Sequence, residues 1–104
     1  MYTFVFDLDD TLLLSNSYNY YNEIYPNIEL INLLNKIPNK YIYSNGNDKH
    51  VYDALHNMNL YNFKKIFTRS NVPYMKPNCF SFNFVNNEIK NNSKNNYILF
   101  FDDL

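Results

Sequence analysis

The chain has 104 residues, of which 46% are hydrophobic and 18% charged, with a formal net charge of −1. That length bounds one domain, the balance excludes a disordered chain, and the near-neutral charge gives no electrostatic footprint for nucleic acid. Cys79 is the one cysteine and has no partner for an internal disulfide, the opening MYTFVFDLDD lacks the basic start of a secretory signal, and no apolar run approaches the ~20 residues of a membrane span. The expectation is a single domain over residues 1–104, cytoplasmic, with no membrane partner.

In chain order, Tyr2 to Phe6 are aromatic or β-branched, end in a carboxylate cluster, and read as a buried strand. A polar, Tyr/Asn-rich stretch from Ser15 to Asn27 reads as a loop or flap. Pro26 and Asn27 open a helix whose apolar positions Leu30, Ile31, Leu34 and Ile37 recur at helical spacing, and Pro38 ends it. Tyr41 to Tyr43 form a second strand, closed by Ser44-Asn45-Gly46. Asn47 or Asp48 caps a second helix with Val51, Leu55 and Met58 on one face. Lys65 to Thr68 form a third strand. A loop with Pro73 and Pro77 leads to a third helix near Asn78 to Lys90, with Phe80, Phe84, Val85 and Ile89 facing inward. Asn91 to Asn96 form a polar turn, and Tyr97 to Phe101 form a fourth strand that runs into Asp102 and Asp103.

Strand and helix therefore alternate. The pattern predicts an α/β fold: a Rossmann-like parallel sheet of about four strands with helices on its faces. Such sheets bind ligands beyond the carboxyl ends of their strands. Three of the four strands end in groups that can do chemistry. Asp7 and Asp9 fall on one side of an extended chain, so one carboxylate could attack while the other moves a proton. Ser44 and the backbone after it precede a helix and could hold a phosphoryl oxygen. Lys76 supplies a point charge. Asp102 and Asp103 add hard oxygen ligands of the kind Mg²⁺ takes.

The ordered set Asp7-Leu8-Asp9-Asp10-Thr11, Ser44, Lys76-Pro77 and Asp102-Asp103 resembles the four-motif signature of the haloacid dehalogenase-like superfamily, and it spans nearly the whole chain. The resemblance implies a Mg²⁺-dependent phosphomonoester hydrolase. Asp7 would be the nucleophile that forms an aspartyl-phosphate, and Asp9 the general acid and base. Thr11, Ser44, Asn45 and Lys76 would serve the loop and the phosphoryl group. Asp7, Asp9, Asp102 and Asp103 would be the metal set. The segments ELINLLNKIPNKYIYSNGNDKHVYDAL, MKPNCFSFNFV and ILFFDD are similar to the pyrimidine 5′-nucleotidase-like branch, which makes a small phosphorylated substrate such as a nucleotide an expectation.

Two spacings depart from that pattern. Thirty-four residues separate Asp9 from Ser44, too few for the helical cap of the nucleotidase branch, and Leu104 follows Asp103 directly. The expectation is a capless core lacking its C-terminal part, with a homo-oligomer as one way to complete the sheet edge. A catalytically weak or inactive binding module of the same descent is the alternative. A receiver-like phospho-acceptor needs an Asp after the third strand, where Phe67-Thr68-Arg69-Ser70 has none. His50 and His56, six apart on a helix, do not suggest a shared metal site. Tyr18, Tyr20, Tyr21 and Tyr25 read as cover for the mouth of the sheet or as a stacking surface.

Overall fold

The computed structural model describes residues 2–14, 19–92 and 97–102. Its elements are β1 (Tyr2–Phe6), a 3-10 turn at Tyr21–Glu23, α1 (Ile28–Asn35), β2 (Lys40–Tyr43), α2 (Asp48–Asn57), β3 (Ile66–Phe67), α3 (Cys79–Asn92) and β4 (Tyr97–Phe101). The sheet order is β3-β2-β1-β4 and every neighbouring pair is parallel. The described residues thus form the expected α/β architecture, with four parallel strands and three α-helices among them. Between β1 and β2 the described residues hold only the 3-10 turn and α1.

Parallel strands need crossovers, and the crossovers cover the sheet on both faces. On one face Phe6 and Ile42 pack with Leu34 of α1 and with Val51, Ala54 and Leu55 of α2. On the other, Val5, Tyr41, Tyr43 and Phe67 pack with Val85 and Ile89 of α3. Each fully buried aliphatic side chain contributes about 1.5–3 kcal/mol relative to exposure. From β1 the chain builds outward through β2 to β3, then returns to the far flank of β1 as β4. The strand order therefore reverses between β1 and β4. An open α/β sheet has its ligand crevice at such a reversal, outside the carboxyl ends of the strands.

Local chemistry sets the element ends. The Asn27 side chain accepts from the Leu30 amide at 3.2 Å and starts α1. Asn47, rather than Asp48, caps α2 by accepting from the His50 amide at 2.8 Å. Asp48 instead accepts from the Thr68 hydroxyl and, at 2.8 Å, from the Ser70 hydroxyl, bonds that hold its carboxyl below the usual carboxylate range.

Two expectations are corrected. The third strand is shorter than Lys65 to Thr68, because the Thr68 amide bonds the Asn71 side chain at 2.7 Å and leaves the ladder. On α3 the inward face is Ser81, Val85 and Ile89, not Phe80, which is 59% exposed and lies beside Tyr74. Positions four apart share a helix face, and Phe80 sits one step off it. Ser81 is fully buried because its hydroxyl donates to the Asn78 carbonyl at 2.6 Å, so its polarity costs little there. The Ser15 to Tyr18 part of the expected flap, the Ser93 to Asn96 part of the polar turn, and Asp103 lie outside the described residues.

Candidate active site

The loop after β1 wraps around one carbonyl. The amides of Thr11, Leu12 and Leu13 all point at the Leu8 oxygen, at 3.3, 3.0 and 2.9 Å. Asp10 takes φ 62°, a left-handed conformation that Asp tolerates better than most residues, and Asp9 bridges Leu13. Leu8 is fully buried as the plug of this turn. The carboxylates on either side of it, Asp7 and Asp9, both line one cavity.

Four segments converge on that cavity of about 200 Å³: Asp7, Asp9 and Asp10 from the β1 loop, Ser44, Asn45 and Gly46 after β2, Lys76, and Asp102 after β4. The Asp7 amide donates to the Phe101 carbonyl at 2.9 Å, which sets the ends of β1 and β4 level. The Ser44 amide donates to Phe67 at 2.9 Å and ties β2 to β3. Arg69 closes the 44–46 turn from outside, its amide bonding the Gly46 carbonyl and its Nε the Asn45 carbonyl, both at 3.1 Å.

Lys76 is the centre of the cluster. Its ammonium lies 3.0 Å from Asp7 Oδ1, donates to Asp102 Oδ2 at 2.7 Å and to the Tyr43 carbonyl at 2.9 Å, and sits over the Tyr43 ring. Three donors thus meet three acceptors. The loop that carries it is fixed by a reciprocal pair: the Lys76 amide donates to Asn45 Oδ1 at 2.9 Å, and Asn45 Nδ2 donates to the Lys76 carbonyl at 3.1 Å. Asn45 therefore acts as a strut. The Ser44 hydroxyl accepts from the Gly46 amide at 3.0 Å, so its own proton can serve a ligand oxygen in the cavity.

Asp7 is 9% exposed. Burial pushes its carboxyl up from 3.8 to about 6, against the pull of the Lys76 ammonium and of the Leu8 amide at 2.9 Å, while Asp102 pushes the same way as burial. Two carboxylates share one ammonium, which leaves the cluster rich in negative charge when both are ionised.

Of the residues expected at the site, the structure brings together Asp7, Asp9, Ser44, Asn45, Lys76 and Asp102. Thr11 is not among them. It lines an apolar groove with Phe4, Phe6, Leu30 and Phe101 rather than the cavity. Two neighbours of the site were not expected from the sequence, Arg69 and His50; Tyr21, read there as cover for the mouth of the sheet or as a stacking surface, reaches the site through His50. His50 Nε2 lies 2.9 and 3.0 Å from the two oxygens of Asp9, and its Nδ1 lies 2.6 Å from the Tyr21 hydroxyl. A signal did exist for His50. A residue three after a helix cap stands in the first turn, and α2 begins at the end of the sheet where the carboxylates are.

Mg²⁺ takes hard oxygen ligands and usually keeps several waters. Asp7 and Asp102 offer such oxygens to one cavity, which fits an ion completed by water. Among the described residues no group of three or more His, Cys, Asp or Glu could hold a metal by itself. A larger cavity of about 460 Å³, lined by Tyr52, Leu55, His56, Tyr61 and Phe63, is mainly apolar and gathers no comparable set of charges. No helix among the described residues is long and apolar enough to cross a membrane. No family model matches the chain, and no curated protein matches it.

Proposed function

We propose that the chain is a haloacid dehalogenase-like phosphomonoester hydrolase that works through Asp7. The observation that carries this reading is the Lys76 ammonium held between Asp7 and Asp102, 3.0 and 2.7 Å away, in a polar cavity that also contains Asp9 and Ser44. An aliphatic or aryl phosphate monoester entering the cavity meets a carboxylate, a cation and a hydroxyl from separate segments.

In this reading Asp7 Oδ attacks phosphorus while the bond to the ester oxygen breaks. The electron pair leaves on that oxygen, and protonated Asp9 supplies its proton. Water, giving up a proton to Asp9, then attacks phosphorus of the Asp7 acyl phosphate while the Asp7 Oδ–P bond breaks; its electron pair restores the Asp7 carboxylate, and inorganic phosphate leaves. Lys76 and the Ser44 hydroxyl face the charge that builds on the phosphoryl oxygens. Mg²⁺ held by Asp7 and Asp102 would supply further charge neutralisation on the phosphoryl group. The cavity is small and open, so it fits the phosphoryl group and leaves the rest of the substrate outside. Nucleotides remain candidates on that ground alone.

Incubation with Mg²⁺ and p-nitrophenyl phosphate tests the reading. Turnover is expected, and Asp7→Asn should reduce it by roughly 10³-fold or more, since it removes the nucleophile. Equal rates for the two proteins would refute it. A folded protein that binds Mg²⁺ without turnover would favour the binding-module alternative. The reading extends to assembly: β4 ends the sheet among the described residues with Leu99 and Phe101 each 41% exposed, and a second copy pairing there continues the sheet.

A further inference from the structure

His50 and Tyr21 form a hydrogen-bonded chain to the carboxylate that moves the proton. Nε2 of His50 faces both Asp9 oxygens, at 2.9 and 3.0 Å, and Nδ1 faces the Tyr21 hydroxyl at 2.6 Å. The tautomer follows from the partners. A carboxylate accepts, so Nε2 carries the hydrogen. In the neutral imidazole Nδ1 is the acceptor, and the Tyr21 hydroxyl donates to it. Each member is anchored elsewhere. His50 stands in the first turn of α2, its amide bonded to Asn47 Oδ1 at 2.8 Å. Tyr21 belongs to the 3-10 turn, and its carbonyl accepts from Asn57 Nδ2 at 2.9 Å. The path also needs Gly46: a Cβ there would lie 2.9 Å from His50 Cδ2. The one glycine of the chain therefore stands where the imidazole must pass to reach Asp9.

We propose that His50, held by Tyr21, is a positioning residue for Asp9, fixing which carboxylate oxygen carries the transferable proton. This inference rests on the phosphomonoesterase reading. A single N–H cannot serve a carboxyl group at both oxygens once one of them is protonated. It keeps the unprotonated oxygen, and the O–H is left to point toward the ester. Loss of His50 frees the carboxyl to rotate, and the proton is then presented in the right direction only part of the time.

Such a role appears only when the leaving oxygen needs a proton. The test compares phenyl phosphate, whose leaving group departs poorly without protonation, with 2,4-dinitrophenyl phosphate, whose leaving group departs well without it, both with Mg²⁺. His50→Ala is expected to lower kcat on phenyl phosphate by about tenfold or more and on dinitrophenyl phosphate by less than about threefold, a part of the roughly 10²–10⁴-fold that general acid catalysis contributes. His50→Gln retains an N–H donor at similar reach and should recover most of the phenyl phosphate rate. Tyr21→Phe should show a smaller loss with the same dependence on leaving group. A wild type that hydrolyses neither ester overturns the phosphomonoesterase reading, and this inference with it. A wild type that hydrolyses both, with His50→Ala losing both in equal proportion or His50→Gln failing to recover a folded protein's rate, overturns the positioning role alone.

Discussion

Asp7 is a charge in a place that resists charge. Its carboxyl, pushed by burial from 3.8 to about 6, is more basic in the folded state than in the unfolded chain. A folded-state value above the unfolded one means that the folded protein binds the extra proton between those two pH values. Stability from this group is therefore greatest when it is protonated, falls as pH rises from about 4 through about 6, and stays lower above that. A difference of about two pH units corresponds to at most ~3 kcal/mol. Asp7→Asn removes the charge and keeps the shape. It should be more stable than the wild type by roughly 1–3 kcal/mol at pH 7.5, in urea melts with Mg²⁺ absent, and the gap should close as pH approaches 4. A gap that widens on acidification would mean that Lys76, rather than burial, sets the state of Asp7. Stability given up at a functional residue is a common trade. The acidic hexapeptide, Ser44 and Lys76 were visible in the sequence because residue type and strand order suffice to place them. Thr11, expected to brace the loop and serve the phosphoryl group, sits in the turn around the Leu8 oxygen and lines the apolar groove rather than the cavity, which spacing does not show.

At the scale of the element, α2 matters most for the site, since it carries His50 in its first turn. Its cap is one side chain. Asn47→Ala leaves the His50 amide without its acceptor and should cost about 0.5–2 kcal/mol by thermal or urea melting, with Asn47→Asp or Asn47→Ser recovering most of it. No effect would mean that Asp48, bonded to Thr68 and Ser70, holds the end of the helix alone. The elements themselves were legible: each strand and helix read from periodicity exists, and Asn27 starts α1 as expected. The misses were local competitions. Asn71 takes the Thr68 amide and shortens β3, and the Asn78 carbonyl makes a buried Ser81 inexpensive, so a serine occupies the inward face that the sequence reading gave to Phe80. The Asp9–His50–Tyr21 chain was hidden for another reason. It joins residues 41 and 29 positions apart, through a loop whose course no pattern specifies.

At the scale of the molecule, the parallel sheet leaves β4 with one neighbour, β1, among the described residues. Pairing of two copies along β4 predicts a concentration-dependent dimer in sedimentation velocity. A lysine in place of Leu99 puts charge beside that edge and should shift the protein toward monomer. A monomer at all concentrations for the wild type would remove this assembly from consideration. The edge also bears on the site through one bond, from the Asp7 amide to the Phe101 carbonyl at 2.9 Å. A strand at the rim of a sheet opens with less free energy than the whole domain, and amide hydrogen exchange reads such openings residue by residue. Since the Asp7 proton is donated to β4, its exchange clock measures how often that strand lets go. Asp102 leaves Lys76 in the same event. The Asp7–Lys76–Asp102 cluster is therefore expected to open more often than the core on which it is built.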